Sequence, residues 1–270
     1  MYTSQKILIG AAAAAVVIGG VAIGVTLSRT PDKIDVSTIH TQPSAETMPA
    51  STEAPSSSAQ EPSRENTASS VSASLETYTS GKVSIQYPVV SHLSDSQLEE
   101  RVNALLKANA LSVIKANGIN EETDGLEIEC SVISVDRSRL TATYTGVLTA
   151  QGAAQPVNLF YSNTVSLTQA QDLGLEDFAD AYTMAGYVLS DDVQFLGLTE
   201  EEVSAVKEYR SSLSLDELTE IFQEADFPLE SESAWPQSFS YEKQGLICFS
   251  MPVPHALGDY VIVSFEPSTK

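Results

Sequence analysis

The chain has 270 residues, with 36 acidic against 14 basic side chains and a formal net charge of −22. A surface so acidic repels nucleic acid and anionic lipid and attracts cations, basic proteins or basic peptides; it also serves plain solubility. The two cysteines, Cys130 and Cys248, stand outside any C-x-x-C spacing, which excludes the common zinc and thioredoxin-type motifs.

The first element is the uncharged run ILIGAAAAAVVIGGVAIGVTL, Ile7 to Leu27. As a helix it reaches about 30 Å, the thickness of a bilayer's hydrocarbon core, and lipid tolerates only a helix there. A secretory signal has an apolar region of about 7–15 residues before a small-residue cleavage site. This run is longer, and Ser28-Arg29-Thr30-Pro31 after it is a poor site. The reading is one retained transmembrane anchor over 7–27, with residues 1–6 as a short cytoplasmic tail. Lys6 before the run and Arg29 and Lys33 after it do not decide orientation by charge. The Ser/Thr/Pro-rich stretch and acidic domain beyond the run suit the outside of a cell. The expectation is a single-pass cell-membrane protein with its C-terminal part extracytoplasmic. Gly20 and Gly24 form a GxxxG that offers a weak dimer contact.

Residues 28–75 are rich in Ser, Thr, Pro, Ala and Glu, with almost no large apolar side chain. Such a segment cannot bury enough surface to offset the entropy of ordering, and the expectation is a disordered linker. As a flexible chain it would reach about 35–40 Å, lifting a domain off the membrane.

Residues 76–270 read as folded. Val83 to Tyr87 alternates apolar and polar, a strand pattern. Ser94-Asp-Ser-Gln97 reads as a capping box, and Leu98, Val102, Leu105, Leu106 and Val113 come after it at helical spacing until Asn117-Gly118. The spacing predicts a helix from Asp95 to Ala116. Three strands come next, around Leu126–Val132, Leu140–Thr145 and Val157–Tyr161, as an antiparallel meander with Cys130 on its buried side. Thr199-Glu-Glu-Glu202 and Ser214-Leu-Asp-Glu217 open two further helices. Strands over Leu246–Met251 and Asp259–Phe265 end the chain. The class is α+β, an antiparallel sheet with helices packed on one face. Both cysteines fall in strands, and buried free thiols are favoured over a disulfide.

Three features invite a chemical reading. Glu200 to Glu202 form an acidic cluster, but carboxylates in a first helical turn favour the positive end of the helix dipole. His40 lies in the linker. His255 sits in MPVPHALGDYVIV between Pro254 and Gly258, where a structural corner is the stronger reading: a catalytic histidine needs an acid or nucleophile beside it, and no such partner is evident. There is no H-E-x-x-H, no G-x-S-x-G, no phosphate-binding glycine loop and no metal-spaced His/Cys set. The expectation is therefore no enzyme, no cofactor and no metal, with binding residues unassigned.

The order of motifs from Tyr78 to Phe265 resembles a family of bacterial surface domains. Ile85-Gln-Tyr-Pro88 ends an extended strand, Val102-Asn103 marks the helix, Leu167-Thr168 and Asp172-Leu173 come after the meander, and Pro254-His255-Ala256-Leu257-Gly258 is the corner before the last strand. This series is similar to the paired extracellular domain of unknown function shared by the anti-sigma-V factor RsiV and the peptidoglycan deacetylase PdaC. His255 stands where the family usually has tyrosine. The resemblance implies an extracellular α+β domain. Because the anti-sigma relative recognises lysozyme, it also implies a cell-wall glycan or a basic lysozyme-like protein as partner. With six residues before the apolar run, sigma-factor sequestration is not expected, and neither is the deacetylase activity of the other relative. The expectation is a binding or sensing module of the cell envelope, or alternatively a structural or assembly component of an envelope complex.

Overall fold

The computed structural model describes residues 70–232 and 234–267. The expected anchor at 7–27 with its Gly20 and Gly24 pair, and most of the linker, lie outside the described residues. Among the described residues no helix is long and apolar enough to cross a membrane.

The chain enters on β1 (Ser72–Ser80), which turns at Gly81 into β2 (Val83–Ser91). The boundary at 76 therefore falls inside a strand. Gly81 adopts φ +53°, and a Cβ there would lie 2.2 Å from the Glu121 carbonyl oxygen, so only glycine fits. Helix α1 (Ser96–Ala116) comes next. Its N-cap is Asp95 rather than Ser94: the Asp95 carboxylate accepts the N–H groups of Gln97 and Leu98. Asn103 clamps α1 to β2, accepting from Val90 N at 2.8 Å and donating to Val90 O at 2.9 Å.

Because α1 carries the chain back across the sheet, β3 (Gly125–Val135) pairs parallel with β2, Val83 facing Leu126. From there β4 (Arg139–Thr149), β5 (Val157–Ser166) and the short β6 (Gln171–Leu173) add antiparallel neighbours, giving the order β1-β2-β3-β4-β5-β6. The sheet is thus mixed rather than antiparallel. Side-chain alternation marks each strand but does not report its direction, which the crossover helix sets.

The second half builds a separate four-stranded sheet. Helix α2 (Ala181–Leu189), β7 (Gln194–Leu196), α3 (Glu200–Arg210) and α4 (Leu215–Gln223) precede β8 (Ser240–Lys243), β9 (Leu246–Pro252) and β10 (Tyr260–Phe265). Its order is β7-β10-β9-β8. The α+β class holds, with two sheets where one was expected. Thr199 and Ser214 each form the expected capping box, with Glu202 and Glu217. Both cysteines are free and buried.

Each sheet has its own core. In the first, Leu106 and Val113 of α1 join Ile85, Ile128, Tyr144 and Tyr161 of the strands. In the second, Met184 and Val188 of α2 and Phe222 of α4 join Phe249, Met251 and Val263 of the strands. Phe227 and Phe239, from the second half of the chain, join the first core. The sheets meet where Ser162 Oγ donates to Ser240 O at 2.7 Å, and where Phe160 of β5 packs on Tyr241 and Tyr260.

Candidate functional site

A cleft opens between the first core and the second, with a volume of about 510 Å³. One wall is β6 and the 3-10 turn Leu175–Asp177, and the other is formed by residues 226–230 and 234–236 between α4 and β8. The second wall is pinned from inside by aromatic rings. Phe227 and Trp235 belong to the first core, and Trp235 meets Tyr161 edge-on at 5.3 Å and Phe239 at 5.0 Å. These contacts leave Trp235 half-buried, lining the cleft beside Leu229 and Pro236.

The charged lining is Asp172, Glu176, Asp177, Glu224, Asp226 and Glu230. Every charged side chain among the described lining residues is acidic. Two of the carboxylates are largely out of water. Asp172 of β6 accepts at Oδ1 from Asn109 Nδ2 of α1 at 2.7 Å and from Asn163 Nδ2 of β5 at 2.9 Å. Burial raises its pKa above the usual carboxylate value, against the lowering effect of both amides. Asp226 is 4% exposed and adopts φ +70° two residues beyond Glu224, the C-cap of α4. Its Oδ1 accepts from Ser240 N at 2.5 Å, and its Oδ2 from Leu175 N at 2.8 Å and Ser240 Oγ at 2.5 Å. Burial pushes its pKa up to about 7, the three donors oppose that rise, and the nearby charge of Asp172 adds to it. Gly174 makes room for this carboxylate, since a Cβ there would lie 3.2 Å from that of Asp226.

The lining offers carboxylates and an aromatic face. No serine, threonine, cysteine, histidine, lysine or arginine stands among the described lining residues. Asp226 has both oxygens engaged in holding the fold together. Carboxylates beside an indole suit a cationic group, held by charge and by the ring's negative face. Among the described residues no group of three or more His, Cys, Asp or Glu side chains is arranged to hold a metal ion.

The residues singled out from sequence lie elsewhere, with one exception. Glu200 to Glu202 are the exposed first turn of α3, and Glu202 closes the cap on Thr199. His255 opens a 3-10 turn over His255–Leu257 that ends on Gly258 at φ +98°, so the chain turns a corner there. It does have an acid partner: its Nδ1 lies 2.9 Å from Asp259 Oδ1. The other oxygen of Asp259 accepts from Asn158 N at 2.8 Å and Asn158 Nδ2 at 3.2 Å, tying the corner to β5. Sequence reasoning misses the carboxylate four residues on because an i, i+4 pair is expected along a helix and not across a turn. The exception is Asp172, which stands in the Asp172-Leu173 motif. Asp226 has no signal in the sequence, being one acid among 36.

No protein-family model matches the chain, and no curated protein matches it. Solved structures resemble it, among them the two that follow. One is described as a member of the DUF3298 family from Bacteroides fragilis; it is 12% identical, with 73% of this chain and 89% of that one covered and a TM-score of 0.40. The other is a DUF3298 family protein from Pseudomonas aeruginosa, 11% identical, with 67% and 79% covered and a TM-score of 0.29. The structural neighbours are thus members of a domain family of unknown function.

Proposed function

We propose that the protein is a membrane-anchored binding module of the bacterial cell envelope. Its folded domain captures a cationic partner outside the cell, and a basic lysozyme-like protein is the first candidate. The observation that carries this reading is the cleft between the two cores, whose charged lining is wholly acidic and whose wall presents Trp235. The surrounding field has the same sign: residues 76–270 hold 30 acidic against 10 basic side chains, a net of −20. Such a field speeds encounter with a basic protein and weakens as salt rises. The apolar run at 7–27 supplies the anchor in this reading, and residues 28–75 supply the tether.

Calorimetry of the full chain in detergent against lysozyme, beside an equally basic unrelated protein, tests it. The expected result is tighter binding to lysozyme that survives physiological salt and is lost in a Glu224→Gln, Glu230→Gln double variant. Equal, fully salt-sensitive binding to both proteins would overturn it. That outcome would favour the second reading, an assembly component of an envelope complex whose acidity only keeps it soluble.

A further inference from the structure

The carboxylates that line the cleft are not equivalent. Glu176, Asp177, Glu224 and Glu230 are exposed, and Asp226 has both oxygens engaged by the fold around it. Asp172 differs from all of them. Its Oδ1 is held from behind by the amides of Asn109 and Asn163, side chains only 8% and 2% exposed. Asn109 also donates to Asn163 Oδ1 at 3.2 Å, so the two supports brace each other. Asp172 Oδ2 has no hydrogen-bond partner among the described residues. A carboxylate partly withdrawn from water, anchored through one oxygen and free at the other, attracts a cation more strongly than a solvated one.

The strand that supports this carboxylate also supports the ring. Trp235 meets Tyr161 of β5 edge-on at 5.3 Å, and Asn163 stands two residues further along the same strand. Residues two apart share a face and lie about 7 Å from each other. Carboxylate and indole are thus stationed one step apart on a common base, and Phe227 and Phe239 hold the indole in place. This arrangement selects among cations. A quaternary ammonium is held by a cage of several rings, whereas Trp235 is joined in the lining only by the buried Phe227. A lysine ammonium is a compact, strongly hydrated point charge. A guanidinium is flat and less hydrated, and it stacks on a ring while its N–H groups reach acceptors at the ring's margin. Leu229, Ala234 and Pro236 offer apolar cover for the methylene stem behind such a head.

We infer that the cleft is a preformed socket for one arginine side chain displayed by a protein or peptide. The guanidinium stacks on Trp235 and donates to Asp172 Oδ2, and the exposed glutamates at the mouth supply attraction at longer range. This rests on the reading that the cleft takes a cationic partner, and it names the group that enters and the carboxylate that receives it.

The chain has one tryptophan, so fluorescence of Trp235 reports on the socket directly. The experiment titrates the full chain in detergent, at physiological salt, with N-acetyl-arginine amide and in parallel with N-acetyl-lysine amide. The expected result is a saturable emission change, with arginine bound about fivefold tighter than lysine. Asp172→Asn should weaken arginine binding about tenfold or more. Its amide can keep an oxygen toward Asn109 and Asn163 while turning an NH2 group, a donor, toward the cleft. The Glu224→Gln, Glu230→Gln double variant removes two charges from the mouth and should weaken the same probe less than Asp172→Asn does. No saturable response, an equal response to arginine and lysine, or unchanged binding in folded Asp172→Asn would overturn the socket. So would a larger loss in the double variant than in Asp172→Asn. Should Asp172→Asn fail to fold by circular dichroism, the wild-type preference for arginine over lysine decides. Arginine capture without lysozyme binding would remove the protein partner and leave the socket. Lysozyme binding without arginine capture would do the reverse.

Discussion

One 21-residue helix organises the first core, while three helices of 9 to 11 residues cover the second. The difference shows in how each half satisfies its polar groups. Around α1 the polar fastenings are long-range: Asn103 to β2, Asn109 to β5 and β6, and Tyr161 Oη donating to the Ala110 carbonyl at 2.8 Å. In the second half they are mostly local. Asp180, Thr199 and Ser214 cap their own helices, and Arg210 of α3 donates to the carbonyls of Val188 and Ser190 at the end of α2. Helices of nine to eleven residues are marginal alone, so they depend on caps and burial. Where the short elements end against the first core, the backbone has no ladder to join. A buried carboxylate, Asp226, fills that place, and the cleft lies there.

The largest test of this contrast is core truncation. Leu106→Ala in the first core is expected to cost about 2–5 kcal/mol, and Phe249→Ala in the second about 3–5 kcal/mol. Because Phe227 and Phe239 bind the halves together, both variants should lower one shared urea transition. A melt that splits in two for Phe249→Ala would show that the halves unfold separately.

The next effect is on pH dependence. The folded pKa of Asp226, about 7, lies above the ordinary carboxylate value. The stability it contributes is therefore fully present below about pH 4 and lost as pH rises through about 7. Over pH 5 to 8 the wild type should lose about 2–3 kcal/mol relative to Asp226→Asn, taking 1.36 kcal/mol per unit. Urea melts of both proteins at several pH values measure this. A difference of the opposite sign would mean that the three donors outweigh burial.

Smaller still are the caps. Thr199→Ala and Ser214→Ala should each cost about 1 kcal/mol. Hydrogen exchange should rise first in α3 and α4, while α1 keeps its protection. Loss of protection spread evenly over both halves would erase the distinction between local and long-range fastening.

The smallest effect expected is at the corner. The histidine side chain is 45% exposed, so His255→Ala should shift stability by less than about 0.5 kcal/mol, and His255→Tyr should leave both the fold and binding intact. A drop in binding with an unchanged melting temperature would give His255 and Asp259 a functional role.

Periodicity and capping, which act within a few residues, were legible in the sequence. Those local rules place α1, α3, α4 and most of the long strands, together with the buried side of Cys130 and the corner at Gly258. They miss β6 and β7, three residues each, because so short a run has no period. They miss β1, whose polar alternation continues the composition of the linker. They do not separate two sheets from one, since strand direction and partner are settled by the crossover of α1 and by which faces find cover. The site was least legible of all. Asp172 and Asp226 are 54 positions apart in sequence; Asp172 shows only as part of the Asp172-Leu173 motif, and nothing local distinguishes Asp226 from the other acids. Only the meeting of the two cores takes these two out of water, and desolvation, not residue type, is what makes them chemically different from the rest.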